Sequence, residues 1–447
     1  MQFAAKLIII SLALAGFISP AAGQSNLDQN IQSNIAAWME TYKHFHENPE
    51  LSTQEKETSA IVASGLRKLG YQVTEHFGEY SAPDAVAYGV VGVLRNGGGP
   101  TVYVRTDMDA LPVTENTGLP YASHVQVKRA GADIGVMHAC GHDLHMTVFL
   151  GTAKMLAEDK AHWSGTLVMI GQPAEEMGLG AAAMLRAGLF TKFPKPDYVL
   201  ALHDTPYVPA GKVAWVNGAI LAGSDSLDIT FRGYGGHGAT PQATKDPIVM
   251  ASEFVMQVQT IVSREMNPLE PTVITVGSFH AGTKHNIIPD DAHLQLSVRT
   301  MNPTQRAQVL AAITRMAKGI ATTAGVPEER APIIEISKSN VAATINDSAV
   351  TQRVSQALQR ALGKENAIAG QAVMASEDFS LYALQDPKPP IMMFWLGASD
   401  PAKWKDFADN GTRMPGLHSS EYAPIPEPAI RTGVKAMTSA VEDLLKK

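Results

Sequence analysis

The heptapeptide 137-MHACGHD-143 carries four side chains that can bind a metal or transfer a proton, namely His138, Cys140, His142 and Asp143. Cys140 is the only cysteine of the chain, so no intrachain disulfide can form. Taken alone, the segment is also consistent with a buried thiol next to unrelated histidines. The rest of the chain must decide whether the heptapeptide forms one wall of a metal site.

Side chains of the same kinds stand in four more segments, and most of these segments follow an apolar run that is typical of a strand. The candidates are Asp107 and Asp109 in RTDMDALP, Glu175 and Glu176 in QPAEEMG, His203 in LALHDTP, and His418 in GLHSSEY. Open α/β sheets place their sites where the strands end. A single histidine or acidic pair is most often structural or solvent-exposed, but these groups together predict one common site.

The chemical types of these candidates fit a metal centre. Thiolate, imidazole and carboxylate ligands suit Zn²⁺, and also Mn²⁺, Co²⁺ or Ni²⁺. Of the two adjacent glutamates, one can bind a metal while its neighbour acts as general base on a water molecule. Two ions that lie close together require a bridging group and about five protein ligands, and the sequence offers enough candidates. We therefore expect two divalent metal ions.

The elements that must position these groups belong to the α/β class. Up to residue 221, strand-like apolar runs alternate with helical patterns, which predicts a mainly parallel sheet covered by helices. From 222 to 338 the order becomes β-α-β-β-α-β, which is typical of a ferredoxin-like α+β unit. The chain then returns to α/β patterning. We expect a catalytic domain built from residues 24–221 and 339–447, with the second domain inserted at 222–338.

The N-terminus has the pattern of a secretory signal peptide. Lys6 precedes the apolar run LIIISLALAGF, and small residues follow as far as Gly23. A membrane-spanning helix needs about 20 apolar residues, and this run is shorter, although an uncleaved anchor remains the alternative interpretation. We expect a signal peptide at 1–23, a secreted or periplasmic mature protein, and no stable membrane anchor after cleavage.

The composition restricts the class of partner. Hydrophobic residues make up 45% and charged residues 18% of the chain, which is typical of a soluble globular protein with a large core. The net charge of -7 and the absence of a long basic run argue against a nucleic-acid partner.

Between residues 46 and 422 the chain resembles the co-catalytic metallopeptidase family that includes aminoacylases and glutamate carboxypeptidases. Within that family it is most similar to hippurate hydrolases and plant indole-acetyl-amino-acid hydrolases. The matching segments are HENPELSTQEKET, RTDMDALPVTE, MHACGHDLHM, QPAEEMGLGA, LHDTPYVPAG, GYGGHGATPQATKDPI, TKHNIIPDDAHLQLSVRT, ASEDFS and GLHSSEY. The combination of HACGHD with QPAEE is the most specific of these signals.

The resemblance implies a set of metal ligands, with His142 placed between the two ions. The implied ligands are Cys140, His142, Glu176, His203 and His418. Many relatives outside this subfamily carry His-x-Asp where this chain has Asp107-Met108-Asp109. Asp107 is therefore left out of the ligand set, and Asp109 is expected to orient the ligands.

The resemblance also implies the catalytic and substrate-binding groups. Glu175 would be the general base, while His237, Asn286 and Arg299 would contact substrate. The inserted domain would serve as a lid and as the contact of a homodimer, and His237 would reach the site of the partner subunit. The guanidinium of Arg299 suits bidentate binding of a substrate carboxylate, which lysine cannot provide.

The expected activity is metal-dependent hydrolysis of the amide bond of an N-acyl amino acid or a short peptide. A periplasmic dipeptidase or carboxypeptidase is the alternative that keeps the chemistry and changes the substrate. A catalytically silent solute-binding or metal-storage protein is the alternative from another class, but storage requires no base such as Glu175. A serine hydrolase is not expected, because no Gly-x-Ser-x-Gly motif occurs.

Overall fold

The computed structural model describes residues 20–82, 85–129, 131–337 and 340–446. Residues 1–19, which make up most of the predicted signal peptide, lie outside the described residues. Among the described helices, none is both long enough and apolar enough to cross a membrane.

The first part of the chain contains five helices and nine strands among its described residues. The helices are α1 (Pro20–Glu47), α2 (Lys56–Lys68), α3 (His142–Glu158), α4 (Gly180–Arg186) and α5 (Leu189–Lys192). The strands are β1 (Gln72–Thr74), β2 (Val90–Asn96), β3 (Thr101–Asp107), β4 (Gln126–Arg129), β5 (Ala132–Gly135), β6 (Gly165–Gln172), β7 (Tyr198–Pro209), β8 (Val213–Trp215) and β9 (Gly218–Leu221).

The middle and last parts follow in the same order along the chain. The middle part contains β10 (Gly223–Arg232), β11 (Gly236–His237), α6 (Pro247–Thr260), β12 (Thr272–Ala281), β13 (Ile287–Ile288), β14 (Asp291–Thr300), α7 (Pro303–Thr323) and β15 (Ile333–Ile336). The last part contains β16 (Thr344–Asn346), α8 (Ser348–Leu362), β17 (Ala367–Ala369), β18 (Ile391–Ser399), α9 (Pro401–Asn410) and α10 (Pro426–Leu444).

The large sheet has eight strands in the order β1-β2-β6-β3-β7-β18-β8-β17. Its centre is parallel, because β3 pairs in parallel with β6 and β7, and β18 pairs in parallel with β7. Since β18 belongs to the last part of the chain, the first and last parts form one sheet. This arrangement confirms the expected mainly parallel α/β fold.

Helices cover both faces of the large sheet, which explains why its central strands are apolar throughout. In β3, Val102 and Val104 pack into the core cluster that includes α1, α3 and α10, whereas Tyr103 packs into the cluster on the opposite face. Every residue of β3, β6 and β18 is buried. A strand buried on both faces needs a continuous rather than an alternating apolar pattern.

The inserted part forms its own antiparallel sheet in the order β12-β14-β10-β15. In β10, Leu227, Ile229 and Phe231 face α6 and α7 in a separate core, while Asp228 on the opposite face is exposed. This is the expected ferredoxin-like α+β domain, which we call the lid. The exact bounds 222–338 remain a prediction.

The sequence pattern was less informative about short or interrupted elements. The hairpin β4–β5 and the short strands β8, β9, β16 and β17 were not predicted. The sequence of 180–190 has the pattern of one helix, but the left-handed Gly188 (φ 93°) separates α4 from α5. The helical pattern of 246–266 is α-helical only as far as Thr260 and continues as one π-helical segment.

Candidate metal centre

The predicted ligands meet at the carboxyl edge of the parallel strands. β3 ends at Asp107, the turn carrying Glu175 and Glu176 follows β6, and His203 lies in β7. Parallel strands end at the same edge of a sheet, so side chains from distant segments become neighbours there. His142, the first residue of α3, lies at the same edge.

All five predicted metal ligands lie close together. Their ligand atoms fall into overlapping groups within 4.8 Å, among them Cys140 with His142 and His203, and Cys140 with Glu176 and His418. Cys140 Sγ lies 3.6 Å from His203 Nε2. His418 Nε2 lies 3.5 Å from one oxygen of Glu176, and His142 Nε2 lies 3.9 Å from the other.

Backbone carbonyls fix the tautomers of two of these histidines. His142 Nδ1 donates to the carbonyl of Asp109 (2.7 Å), and His203 Nδ1 donates to the carbonyl of Asp204 (2.8 Å). A carbonyl only accepts hydrogen bonds, so each ring presents an unprotonated Nε2 to the site when the imidazole is neutral.

The same hydrogen bonds bear on how two ions would be shared. Because Nδ1 of His142 is already engaged, His142 has only Nε2 free for a metal. His142 is itself shared by a group with Cys140 and His203 and a group with Glu175 and Glu176, so its place between two ions stays a prediction. Cys140 is the residue common to the group with His142 and His203 and the group with Glu176 and His418.

The donor atoms themselves fit a bound cation. Among the described residues, His142 Nε2 and one oxygen of Glu176 are buried without a hydrogen-bond partner. Burial, followed by the nearby carboxylates of Glu176 and Glu175, raises the pKa of the Cys140 thiol well above its usual value. Burial also raises the pKa of Glu176 to about 7. Buried anions of this kind require a compensating positive charge, and a divalent metal supplies it.

Asp109 orients the ligands and the predicted base. Its Oδ1 accepts the backbone N–H of Glu175 (3.1 Å), and its Oδ2 accepts the backbone N–H of Glu176 (3.0 Å) and the Ser52 hydroxyl (2.6 Å). His142 donates to the backbone carbonyl of Asp109. Together, these contacts join three of the segments that form the site.

Glu175 has the environment of a general base. It is buried and lines the main cavity beside Cys140 and Glu176. Burial, followed by the negative charge of Glu377, raises the pKa of Glu175 well above its usual range. A buried carboxyl group next to a metal site is a common arrangement for proton transfer.

Two left-handed backbone positions bring the ligand loops together. Gly141 has φ 73°, and a Cβ atom there would lie 2.3 Å from a carboxylate oxygen of Asp204, so only glycine fits. His418 also has a positive φ of 65°, which is uncommon for a residue with a side chain. Its N–H donates to the carbonyl of Ala139 (2.8 Å), which ties the two ligand loops to each other.

Behind the ligands lies a buried network of charges that the sequence did not reveal. Arg105 is fully buried and donates to Asp107 (2.7 Å), Glu377 (2.7 Å) and Asp378 (3.1 Å). The ASEDFS motif was recognised as a matching segment, but its partner Arg105 could not be inferred from the chain order. Asp107 accepts from Arg105, but its Oδ2 also lies 3.7 Å from His142 Nε2, so its exclusion from the ligand set stays a prediction.

The remaining histidines of the site support it from behind. His145 Nδ1 donates to Asp107 (2.7 Å), and its Nε2 accepts the backbone N–H of Asp204 (2.8 Å). His46 of α1 lies between the carboxylates of Asp143 (2.7 Å) and Glu115. His138 is fully buried and has no hydrogen-bond partner among the described residues.

Four of the five predicted metal ligands line a cavity of about 580 Å³ together with Glu175, namely Cys140, Glu176, His203 and His418. Leu221, Val341, Val373 and Trp395 supply part of an apolar wall. Arg299, carried by β14 of the lid, also lines the cavity.

Arg299 is half-buried, and burial lowers its pKa from the usual value. Its guanidinium donates to the hydroxyl of Ser376 (2.8 Å). In the described part of the chain it forms no salt bridge with a carboxylate. A partly desolvated arginine without an anionic partner is well suited to bind an anion.

The other two predicted substrate contacts do not line this cavity. His237 and Asn286 lie next to each other at the exposed β11–β13 ribbon of the lid, where the N–H of Gly238 donates to the carbonyl of Asn286 (2.9 Å). The structure therefore brings them together but not to the metal site of their own chain.

This arrangement of an α/β sheet, a strand-end ligand cluster and an inserted lid defines a metal-dependent hydrolase of the amidohydrolase and peptidase type. Comparison with known proteins identifies it further: residues 103–443 match the model of peptidase family M20/M25/M40, and the chain belongs to that family.

Several members of this family resemble the chain over most of its length. Hippurate hydrolase from Campylobacter jejuni is 39% identical over 75% of this chain and 82% of its own length. Thermostable carboxypeptidase 2 from Saccharolobus solfataricus is 35% identical over 91% and 95%. A Bacillus subtilis structure described as a dinuclear metal-binding peptidase of the M20 family is 27% identical, covers 93% of this chain and 99% of its own, and has a TM-score of 0.74.

We predict that Cys140→Ser weakens metal binding by about 10-fold or more, since a loss of that order already follows changes outside the ligand set. The substitution replaces a thiolate by a neutral hydroxyl and leaves the fold intact. The metal content after dialysis against Zn²⁺ or Mn²⁺, and the melting temperature of the metal-free protein, measure the two effects.

The matched variant Cys140→Asp restores an anionic ligand and should recover part of the affinity. Unchanged metal content in Cys140→Ser would show instead that Cys140 is an ordinary buried thiol.

Proposed function

We propose that the protein hydrolyses the amide bond of N-acyl amino acids with two divalent metal ions. The observation that carries the proposal is the shared cavity, in which Glu175 lies beside the ligand cluster and Arg299 presents a cation from the lid. The similarity to hippurate hydrolase supports an acyl amino acid as substrate.

The ions would be held by the thiolate, the three imidazoles and the carboxylate of the cluster, namely Cys140, His142, Glu176, His203 and His418. The similarity to a protein described as a dinuclear metal-binding peptidase supports two ions, and Zn, Mn, Co and Ni all suit these donors. When bound, such ions polarise a carbonyl group and make water more acidic.

Glu175 would carry the proton through the reaction. In its ionised form it accepts a proton from the attacking water at a carboxylate oxygen, and it later returns that proton to the nitrogen of the leaving amine. Asp109 keeps Glu175 and Glu176 in place because it binds both of their backbone N–H groups. The surrounding apolar residues limit the access of bulk water to this exchange.

Substrate orientation would depend on Arg299 and on the apolar wall. The guanidinium binds the carboxylate of the amino-acid moiety, while Leu221, Val373 and Trp395 contact the acyl group. The cavity therefore favours a ligand that is anionic at one end and apolar at the other.

Peptide hydrolysis is the second candidate, favoured by the similarity to a thermostable carboxypeptidase. A peptide with a free amino terminus needs an acidic partner close to the scissile bond. Apart from the Glu175–Glu176 pair, the acidic residues that line the cavity are Glu377 and Asp378, and Arg105 binds both. This occupancy supports an acylated rather than a free amino group.

The lid would also form a homodimer. Val249 and Met256 lie one above the other on α6 and are 61% and 74% exposed. They lie near β12, the edge strand of the lid sheet, which itself exposes Val273 and Phe279. An unpaired edge strand beside exposed apolar side chains is a typical surface for chain association.

A dimer would also give the exposed His237 and Asn286 a role. His237 Nδ1 accepts the N–H of Ala239 (3.0 Å), which leaves Nε2 free for an oxyanion in the site of the other subunit. Residues 1–23 would direct export and then be removed, so that the mature protein is secreted or periplasmic. N-terminal sequencing of the mature protein tests this part of the proposal.

We predict measurable turnover of N-acetyl or N-benzoyl amino acids and a loss of about 10²- to 10⁴-fold in kcat on Glu175→Gln, the range typical of general acid–base catalysis. The test is a panel of N-acetyl amino acids, N-benzoyl amino acids and free dipeptides, run with the metal content measured.

Glu175→Gln should retain its metals, which separates loss of the base from loss of the ions. Faster turnover of free dipeptides would favour the peptidase alternative. Near-full activity of Glu175→Gln with metals bound would show that the proposed mechanism is wrong.

We predict that Arg299→Lys raises KM by about 10-fold or more, because lysine keeps the charge but loses the bidentate geometry of a charge-assisted contact worth about 1.5–3 kcal/mol. Steady-state kinetics on an N-acyl amino acid and on its uncharged amide measure the effect.

The amide should be insensitive to the change. Arg306→Lys is the matched control, because Arg306 binds Asp225 in the lid and does not line the cavity. An equal loss on acid and amide would contradict a carboxylate contact.

We predict that Val249→Glu combined with Met256→Glu converts a dimer to a monomer, since a two-fold interface would bring the new charges close to their symmetry mates. Size-exclusion chromatography with light scattering measures the mass. Lys318→Glu on the exposed side of α7 is the control for a change of charge. A wild-type protein that is monomeric at micromolar concentration would refute the dimer.

A further inference from the structure

A short segment between α1 and α2 contacts the site although it contributes none of the predicted ligands. This segment, Glu50–Glu55, lies alongside the end of β3: Leu51 forms a parallel bridge with Ala110, whose N–H donates to the carbonyl of Glu50 (2.7 Å). We call it the brace. Its side chains Ser52 and Glu55 are both buried.

Glu55 is completely buried, and one of its oxygens joins two distant parts of the chain. Oε1 accepts the backbone N–H of Thr53 (2.9 Å) and that of Ala174 (2.8 Å). Both donors have left-handed backbone conformations, with φ 68° at Thr53 and φ 51° at Ala174. Residues with side chains seldom adopt this conformation, and they keep it only where their surroundings enforce it.

Ala174 is the residue immediately before the Glu175–Glu176 pair. Its N–H donates to Glu55, and the N–H groups of Glu175 and Glu176 donate to the two carboxylate oxygens of Asp109. Three consecutive amides are thus bound by two buried carboxylates rather than by a strand or helix. The conformation of this turn determines where the Glu175 and Glu176 side chains point.

The brace holds both of these carboxylates. Glu55 belongs to the brace. Ser52, also in the brace, donates its hydroxyl to Oδ2 of Asp109 (2.6 Å). A displacement of the brace would therefore release the turn at all three amides.

We propose that Glu55 is a positioning residue that holds Ala174 in its left-handed conformation, and thereby aims Glu175 at the substrate and Glu176 at the metal. The inference rests on the proposed function, since it assigns Glu55 a role through the base and a ligand of that reaction. Glu55 itself does not line the cavity.

The decisive variant is Glu55→Met, which fills a similar volume but accepts no hydrogen bond. We expect faster hydrogen–deuterium exchange in the peptide covering residues 172–180, while peptides from α10 remain unchanged. We also expect the affinity for Zn²⁺ or Mn²⁺ and the kcat to fall by about 10- to 100-fold, as is typical when groups that orient metal ligands are lost. KM for an N-acyl amino acid should change little, because Arg299 lines the cavity and no residue of the brace does.

Two further variants test the hydrogen bond itself. Glu55→Gln keeps an acceptor oxygen of the same reach and should restore exchange, metal affinity and kcat to near wild-type values. Ala174→Gly added to Glu55→Met should recover part of the loss, because glycine adopts the left-handed conformation without strain. Gln54→Met is the matched control, since Gln54 is its exposed neighbour in the brace.

Wild-type exchange and metal affinity in Glu55→Met would overturn the proposal. A loss of metal affinity and kcat in Glu55→Gln as large as the loss expected for Glu55→Met would also overturn it. If Glu55→Met does not fold, the measurement on Glu55→Gln decides. A parallel measurement on Glu175→Gln keeps the two hypotheses separate: its full activity would refute the proposed base, whereas exchange and metal affinity still judge Glu55.

Discussion

The carboxylate of Asp109 is the contact on which the arrangement of the site depends most. It accepts hydrogen bonds from the backbone N–H groups of Glu175 and Glu176 and from the hydroxyl of Ser52. The backbone carbonyl of Asp109 fixes the tautomer of His142. The end of β3, the turn after β6, the start of α3 and the brace therefore meet at one residue. A carboxylate suits this position because it accepts several hydrogen bonds at once, and its burial makes each of them stronger than it would be in water.

Charge balance is the second constraint on this edge of the sheet. Many carboxyl groups lie at or just behind the site, among them those of Asp107, Asp109, Glu175, Glu176, Asp204, Glu377 and Asp378. Arg105 offsets three of them from behind. Glu175 and Glu176 lie on the side of the cavity, together with Cys140 and His203. His142 Nε2, which is 3.9 Å from a Glu176 oxygen, has no hydrogen-bond partner among the described residues. A divalent cation on that side completes the balance, and it also explains why an isolated thiol is placed among carboxylates that disfavour its ionisation.

Glu176 and His142 could be predicted from sequence because they stand just past an apolar strand and at the start of a helix, and the topology of a parallel sheet brings such positions together. His203 lies within β7 and His418 outside the helices and strands, and these two were indicated by the resemblance. The contacts of Arg105, His46 and Glu55 could not, because each joins segments far apart in the chain and leaves no periodic or local signal. The lid could be recognised from its order of elements, and the resemblance implied that His237 reaches a partner subunit. Nothing in the sequence indicated that Asn286 also lies away from its own cavity. A residue pattern specifies which element a group belongs to, but packing between elements decides what that group faces.

The hydrogen bond between Arg299 and Ser376 connects the two domains across the cavity, since Arg299 belongs to β14 of the lid and Ser376 precedes the Glu377–Asp378 pair that binds Arg105. A bidentate carboxylate would give the guanidinium a charged partner in addition to, or in place of, this neutral hydroxyl, and charge-assisted bonds are about twice as strong as neutral ones. Binding of the substrate carboxylate would then favour whichever lid position brings Arg299 closest to the Glu175 side of the cavity. Since a ligand shifts a conformational equilibrium only through its difference in affinity for the two states, a substrate without a carboxylate would not stabilise that position. Selectivity for an acidic substrate and closure of the lid would thus depend on the same arginine.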